Sequence, residues 1–149
     1  MSITKSGLYV SNIIDAFDTT QLAIDLDLET HRVALYLDAL TPDFSADVSY
    51  SATSEASGTG YSAGGELLTT TVFTEAVTES AVFDAADAAW AASTIADAMA
   101  AIIYADALAA NNLIVLSDFV SAVSTTAGTL TVQWEAAASG GIWNIDLTP

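Results

Sequence analysis

The segment Gly60-Tyr61-Ser62-Ala63-Gly64 has the G-x-S-x-G spacing of a serine hydrolase nucleophile. In those enzymes a strained turn between a strand and a helix exposes the serine to a histidine base. Here the flanking residues are rich in Gly, Ser and Thr, and the only histidine, His31, precedes Ser62 instead of following it. We therefore interpret the segment as a loop whose glycines permit positive φ angles, with nucleophilic catalysis as the alternative.

His31 is the one imidazole in the chain, and cysteine is absent. Without a second histidine or a thiolate, neither a catalytic triad nor a zinc site of the usual ligand types can be completed. A single imidazole at the start of a predicted strand is expected to be structural. We predict that the chain is not an enzyme and that it has no catalytic residue.

Carboxylates form two groups that could hold a hard cation such as calcium through oxygen ligands. Asp25, Asp27 and Glu29 would share one face of a strand, and Asp84 with Asp87 occupies a predicted turn. Solvated carboxylates on the outer face of a half-buried strand explain the same spacing, which does not fit an EF-hand loop. We therefore predict no metal and no cofactor.

Tryptophans are the remaining side chains with a possible binding role. Trp90, Trp134 and Trp143 could stack on a sugar ring, but aromatic residues in strands near turns are more often core or interface anchors. Phe119, Trp134 and Trp143 lie near the C-terminal strands and would suit an interface between protein subunits. We predict these three as possible interface residues, and packing in the interior explains them equally well.

Charge and composition limit the class of partner. The 149 residues fit one domain, and 52% hydrophobic with 14% charged residues indicates a chain that folds. The sequence has 19 acidic residues and only two basic ones, Lys5 and Arg32, which gives a formal net charge of −17. A nucleic acid or an anionic membrane would therefore be repelled. No apolar run is long enough for an export signal or a membrane span. We expect a single domain over residues 1–149 that binds neither nucleic acid nor membrane.

The N-terminal region predicts one short amphipathic helix, over about 8–22. Apolar residues recur there at spacings near three to five, and Ser11 or Asn12 is available as the N-cap. Apolar residues then alternate with acidic ones, which predicts two strands over 23–40 that are joined near His31.

The rest of the chain predicts a long connection followed by strands. Residues 41–65 are rich in Gly, Ser and Thr and are interpreted as a loop, with room for one helical turn at 46–56. Strands are expected over 67–83 and also over the Ala-rich segment 84–112, where β-favouring residues interrupt the alanines and a helix is the alternative. Two alternating segments near the C-terminus predict a terminal hairpin. Seven or eight short strands indicate a mainly β single domain, an antiparallel β-sandwich or barrel with one short N-terminal helix.

Several short segments follow one another in a recognisable order over about 9–148. They are Ala23–Thr30, Val33–Tyr36, Gly58–Gly65, Phe83–Trp90, Ser93–Ile95, Ile103–Tyr104, Gly128 with Trp134, and Gly141–Ile142. Each segment alone is weakly specific, but the ordered set resembles a family of small virion structural proteins found in tailed phages.

This resemblance implies a β-rich protein of the virion, made in the host cytoplasm, with no catalytic residue to carry over. Within the family we expect first a capsid decoration or cement protein, which binds the major capsid protein or other virion proteins and forms a homo-oligomer. A tail or head-fibre protein is the second expectation. A carbohydrate-binding module that attaches the particle to a host surface is the third.

Overall fold

Antiparallel strands form most of the regular structure in the computed structural model, which describes residues 3–27 and 30–147. Eleven strands, one α-helix and one short 3-10 helix occur in these residues. The predicted mainly β fold with one short N-terminal helix is confirmed, with more strands than the seven or eight expected. In chain order the elements are β1 (Gly7–Leu8), α1 (Val10–Phe17), β2 (His31–Leu37), β3 (Gly58–Thr59), β4 (Glu66–Leu67), β5 (Val72–Val77), β6 (Ser80–Asp84), β7 (Ala88–Ile95), β8 (Ala98–Ala105), β9 (Asn112–Val123), β10 (Gly128–Val132), the 3-10 helix Ala137–Ser139, and β11 (Trp143–Asp146).

The strands are arranged in three antiparallel sheets. The largest has five strands in the order β1-β9-β8-β2-β4, and two smaller sheets have the orders β10-β7-β3 and β11-β6-β5. Within the described ranges each sheet has two open edges, so the barrel alternative is wrong and the layered arrangement is sandwich-like.

The five-stranded sheet buries both of its faces. On β2, Val33 and Leu35 belong to one hydrophobic core, whereas Ala34 and Tyr36 point to the opposite face and belong to a second core. Residues of the two smaller sheets complete the first core, and residues of the N-terminal and 40–50 segments complete the second. Because both faces are covered, the central strands are continuous apolar runs.

The Ala-rich segment 84–112 forms strands, as predicted, although alanine favours helices. In β8 small residues lie opposite large residues of β2, since Ala100 pairs with Tyr36 and Ala101 pairs with Leu35. Both alanines are buried. Burial of this segment between two layers therefore outweighs its intrinsic preference.

Helix α1 is shorter than the predicted 8–22, because it spans Val10–Phe17. Its N-cap is Tyr9 and makes no side-chain cap hydrogen bond. The proposed cap Ser11 lies inside the helix, and its Oγ donates to the carbonyl oxygen of Ser45 at 2.6 Å. In the described part of the chain, no helix has the length and apolar character needed to cross a membrane.

Three other local predictions are wrong. Residues 23–27, predicted as strand, form an irregular segment that ends in a turn, and no helical turn occurs at 46–56. The last two strands do not form a hairpin, because β10 pairs with β7 and β11 pairs with β6. Alternation determines which face of a strand is apolar, but it does not determine which strand is the hydrogen-bonded neighbour.

Candidate functional site

Helix α1 buries a polar residue. Asn12 is 1% exposed, and its Nδ2 donates to the carbonyl oxygens of Val48 at 2.7 Å and Leu113 at 2.8 Å. Its Oδ1 accepts a hydrogen bond from Asn112 Nδ2 at 3.1 Å. Because these bonds satisfy a buried amide and two carbonyls from distant segments, they fix the rotation of α1 about its own axis.

The same rotation leaves apolar residues of α1 at the surface. Phe17 is 81% exposed and Ile14 is 55% exposed. An amphipathic helix normally turns such residues toward the core, so the amphipathic interpretation is wrong for these two side chains. Grouped apolar residues at the surface of a soluble domain are typical of binding sites.

Phe17 lies at the edge of a recess that we call the apolar groove. It has a volume of about 410 Å³ and is formed by the C-terminal half of α1, the segment 22–27, and strands β5 and β11. Most of its lining is apolar and includes Leu22, Ile24 and Ile145. The lining residues come from four separate parts of the chain, namely 13–27, Phe73, Ile114 and 143–145.

A row of aromatic residues connects the groove to the core. Phe73 on β5 and Trp143 on β11 both lie directly opposite Phe83 on β6. The ring centroid of Trp143 is 5.7 Å from that of Phe73 and 6.1 Å from that of Phe83. Phe83 is fully buried, whereas Phe73 is 38% exposed. Cross-strand aromatic contacts of this kind hold the rings in place, so this wall of the groove is rigid.

The segment 22–27 is held against the sheet by three hydrogen bonds. His31 Nε2 donates to the carbonyl oxygen of Asp25 at 2.7 Å. Thr71 Oγ1 donates to the carbonyl oxygen of Asp27 at 3.0 Å, and the Asp27 carboxylate accepts the backbone N–H of Phe73. Burial lowers the pKa of His31, so its imidazole is neutral at pH 7 and acts as a structural clamp.

The groove carries negative charge. Asp25 and Asp27 line it and are exposed. The two basic residues of the sequence are engaged elsewhere, since Lys5 Nζ lies 5.4 Å from the ring centroid of Phe44 and Arg32 Nε lies 3.1 Å from Asp106 Oδ2. In the part of the chain that the structure describes, neither basic side chain is paired with Asp25 or Asp27.

The segment 41–65 is anchored by Glu55. The Oε2 atom of Glu55 accepts a hydrogen bond from the Tyr50 hydroxyl at 2.5 Å. Its Oε1 atom accepts hydrogen bonds from the Tyr61 hydroxyl and from the backbone N–H of Gly64, both at 2.7 Å. This part-buried carboxylate thus joins three points of a segment that has little regular structure of its own.

Two more tyrosines attach the same segment to the five-stranded sheet. The Tyr36 hydroxyl donates to the carbonyl oxygen of Ser51 at 2.6 Å, and the Tyr104 hydroxyl donates to that of Gly64 at 2.8 Å. Burial raises the pKa of both tyrosines, with that of Tyr104 reaching about 12. They are therefore uncharged hydrogen-bond donors near pH 7.

Ser62 lies on an exposed turn of this segment, where the Gly65 N–H donates to the Ser62 carbonyl oxygen at 2.9 Å. The φ angles of Gly64 and Gly65 are +89° and +73°, in agreement with the loop interpretation. His31 is buried, with Nε2 bonded to the backbone of Asp25. Within the described residues Ser62 and His31 are not arranged as a nucleophile and its base.

The three predicted interface residues are half-buried and pack against the main core. Trp143 lines the apolar groove. The backbone N–H of Trp134 donates to Asp87 Oδ1 at 3.0 Å. Phe119 precedes Val120, which is 83% exposed and has a φ angle of 66°. A contact of these residues with another subunit stays a prediction.

Carboxylates of the two predicted groups accept hydrogen bonds from backbone N–H groups. Asp87 bonds the backbone of Trp134, Asp27 bonds that of Phe73, and Glu29 lies outside the described residues. In the ranges 3–27 and 30–147, no group of three or more histidine or acidic side chains is close enough to hold a metal ion.

The groove residues Phe17 and Phe73 were not among the predicted interface residues. The exposure of Phe17 depends on the burial of Asn12, whose partners are backbone carbonyls of distant segments that no sequence spacing reveals. No protein-family model, curated protein or solved structure matches this chain.

Proposed function

We propose that this protein is a non-enzymatic structural subunit of a tailed-virus particle and that it decorates the capsid by binding the major capsid protein. The apolar groove is the observation that carries this proposal. A rigid, exposed apolar recess on an otherwise well-packed domain is typical of a surface that binds another protein. The ordered segments that resemble small virion proteins of tailed phages also support a structural role in a virus particle.

A decoration subunit requires a stiff fold and no chemistry. The two cores and the Glu55 hydrogen bonds provide stiffness, including in the long segment 41–65. If the protein binds the assembled shell more tightly than free coat subunits, mass action favours the shell. The stabilisation is about 2.7 kcal/mol per site at a free concentration of 100 times Kd.

The proposal includes contacts between copies on the shell. A net charge of −17 opposes association in dilute solution, and salt screens this repulsion. Phe119 and Trp134 are half-buried and would be covered further by a neighbouring copy. We therefore expect copies to associate when the capsid lattice brings them together, rather than free in solution.

The test is a binding assay with shells of the virus that encodes the chain, prepared without this protein. Labelled protein is mixed with the shells and sedimented over a range of concentrations. We expect saturable binding with a copy number that is a fixed multiple of the coat subunits. No binding to shells would contradict the decoration role, and binding only to tails or fibres would assign the protein to those structures.

Two other activities are tested in parallel. Hydrolysis of an activated ester that disappears in Ser62→Ala would contradict the non-enzymatic assignment. Specific binding on a glycan array would identify a host-attachment module. We expect neither result, because His31 is bonded to the backbone of Asp25 and not to Ser62, and because the Trp143 ring packs against Phe73 and Phe83.

A further inference from the structure

We infer that the apolar groove binds a segment of the partner that carries an apolar side chain flanked by lysine or arginine. The inference deepens the proposed function and rests on it, because the partner is taken to be the coat protein of the shell. It concerns the chemistry of the docked segment, which the binding of whole shells does not reveal.

Charge complementarity selects this occupant. Asp25 and Asp27 line the groove and are exposed, and neither basic residue of the chain is paired with them. An apolar segment without positive charge would desolvate these carboxylates without compensating them. A segment with flanking cations fills the recess and also pairs with the carboxylates.

A second copy of the chain is a poor occupant for the same reason. It would add another net charge of −17, and its two basic residues, Lys5 and Arg32, are already held by Phe44 and Asp106. Repulsion between like charges at an interface disfavours such a pairing. The groove is therefore suited to a different, locally basic chain.

Phe17 is the expected anchor of the interface. It is 81% exposed in the free protein, and the buried hydrogen bonds of Asn12 hold its helix in the rotation that exposes it. A large aromatic side chain that becomes buried only on binding is the type of residue that dominates interface affinity. Because Phe17 contributes little to the core, it can be changed without loss of the fold.

The test uses synthetic fluorescent peptides with a central Phe or Leu and lysines on both sides. One control peptide has glutamates in place of the lysines, and another has serine in place of the apolar residue. Binding is measured by fluorescence anisotropy, and its location is mapped by NMR on the isotope-labelled full chain. We expect shifts at the groove residues with the basic apolar peptide and with neither control.

Matched variants separate the groove from the overall negative charge. Asp25→Asn with Asp27→Asn removes two charges and keeps the side-chain oxygens that accept backbone N–H groups. Asp43→Asn with Asp118→Asn removes two charges away from the groove and keeps the same type of oxygen acceptor. We expect the first pair to weaken peptide binding roughly twofold to thirtyfold, as for two exposed ion pairs, and the second pair to leave it nearly unchanged.

Phe17→Ala should weaken peptide binding at least about fivefold without changing the thermal unfolding curve. Equal weakening by both aspartate pairs would mean attraction to net charge alone and would overturn the inference. So would the absence of any shift at the groove with the basic peptide. A dimer in sedimentation that Phe17→Ala abolishes would mean that a second copy occupies the groove, which also overturns it.

Shell binding by the same variants distinguishes this inference from the proposed function. If wild-type protein binds shells and the Phe17 and Asp25/Asp27 variants bind equally well, the decoration role stands and the groove inference fails. If wild-type protein does not bind shells, the decoration role fails, and the peptide data alone decide whether the groove accepts a basic segment.

Discussion

Replacement of Glu55 is expected to be the most destabilising single change among the acidic residues. Glu55→Ala removes an acceptor that is shared by the Tyr50 hydroxyl, the Tyr61 hydroxyl and the Gly64 N–H, at 2.5, 2.7 and 2.7 Å. The Tyr61 hydroxyl still accepts a bond from the Leu35 N–H at 2.9 Å, but it loses its own acceptor. The segment 41–65 then loses the hydrogen bonds that join its residues Tyr50, Tyr61 and Gly64 to one another.

The size of the effect follows from the number and kind of bonds. A hydrogen bond to a charged group contributes about 1.5–3 kcal/mol, and partners left unsatisfied when buried add a cost. Three bonds that share one carboxylate are not additive, and Glu55 is only part-buried. We therefore expect a loss of about 3–5 kcal/mol in the free energy of unfolding, which lowers Tm by roughly 6–20 °C for a domain of this size.

The assay is urea unfolding followed by circular dichroism, with two comparison variants. Glu55→Gln keeps Oε1 as an acceptor for Tyr61 and Gly64 and should lose less, about 1–2 kcal/mol. Glu75→Ala removes an exposed carboxylate that accepts one backbone bond, from Glu79 at 2.9 Å, and should cost less than about 1 kcal/mol. The reasoning is refuted if Glu55→Ala and Glu75→Ala have the same stability.

Three further outcomes are expected. Gly65→Ala should destabilise the protein by more than about 3 kcal/mol in thermal unfolding, because Gly65 has a positive φ angle and a Cβ there would lie 1.9 Å from a carbonyl oxygen. Gly128→Ala, whose Cβ would have its nearest contact at 3.8 Å, should change stability by less than about 1 kcal/mol. Equal effects of the two substitutions would contradict the close approach at Gly65. Burial lowers the pKa of His31 below 6.5, so its contribution to the free energy of unfolding is complete above pH 6.5 and is lost as the pH falls below that value. His31→Gln should remove this part of the pH dependence, which is at most about 1.4 kcal/mol per pH unit. An unchanged pH dependence in unfolding titrations of the variant would contradict this prediction. Burial raises the pKa of all five tyrosines, that of Tyr104 to about 12. Their contribution to stability should therefore be complete below pH 10 and decrease as the pH rises through about 12. Tyrosinate absorbance that appears before any loss of structure would contradict this prediction.

Local pattern predicted the class of fold but not its connections. The strands in the Ala-rich segment were predictable, because β-favouring residues interrupt the alanines between positions 88 and 105. The partners of β10 and β11 were not, since alternation in each strand is compatible with several neighbours. Their positions in different sheets depend on packing between segments far apart in sequence.

The segment 23–27 has the residue alternation of a strand but not the conformation of one. Ile24 and Leu26 alternate with Asp25 and Asp27, as in a half-buried strand, but the segment has no ladder partner. It lies against the sheet through His31 and the edge of β5, with apolar side chains in the groove and against the core. The alternation therefore correctly indicated one apolar and one exposed acidic side of the segment, but not its backbone conformation.

The groove itself could not be predicted from local sequence. It combines α1, the segment 22–27 and the strands β5, β9 and β11, and it depends on the burial of Asn12. The cost of burying an amide is offset only when partners are present, and these partners are backbone carbonyls more than 30 residues away, with separations of 36 and 101. Long-range hydrogen bonds of this kind leave no spacing signal.

The most direct measurement of the decoration role is cryo-electron microscopy of shells prepared without this protein and then saturated with it. We predict additional density that repeats over the whole capsid lattice, with α1 and the segment 22–27 facing the coat protein. Density confined to a vertex or the tail, or shells with no added density, would contradict the decoration role.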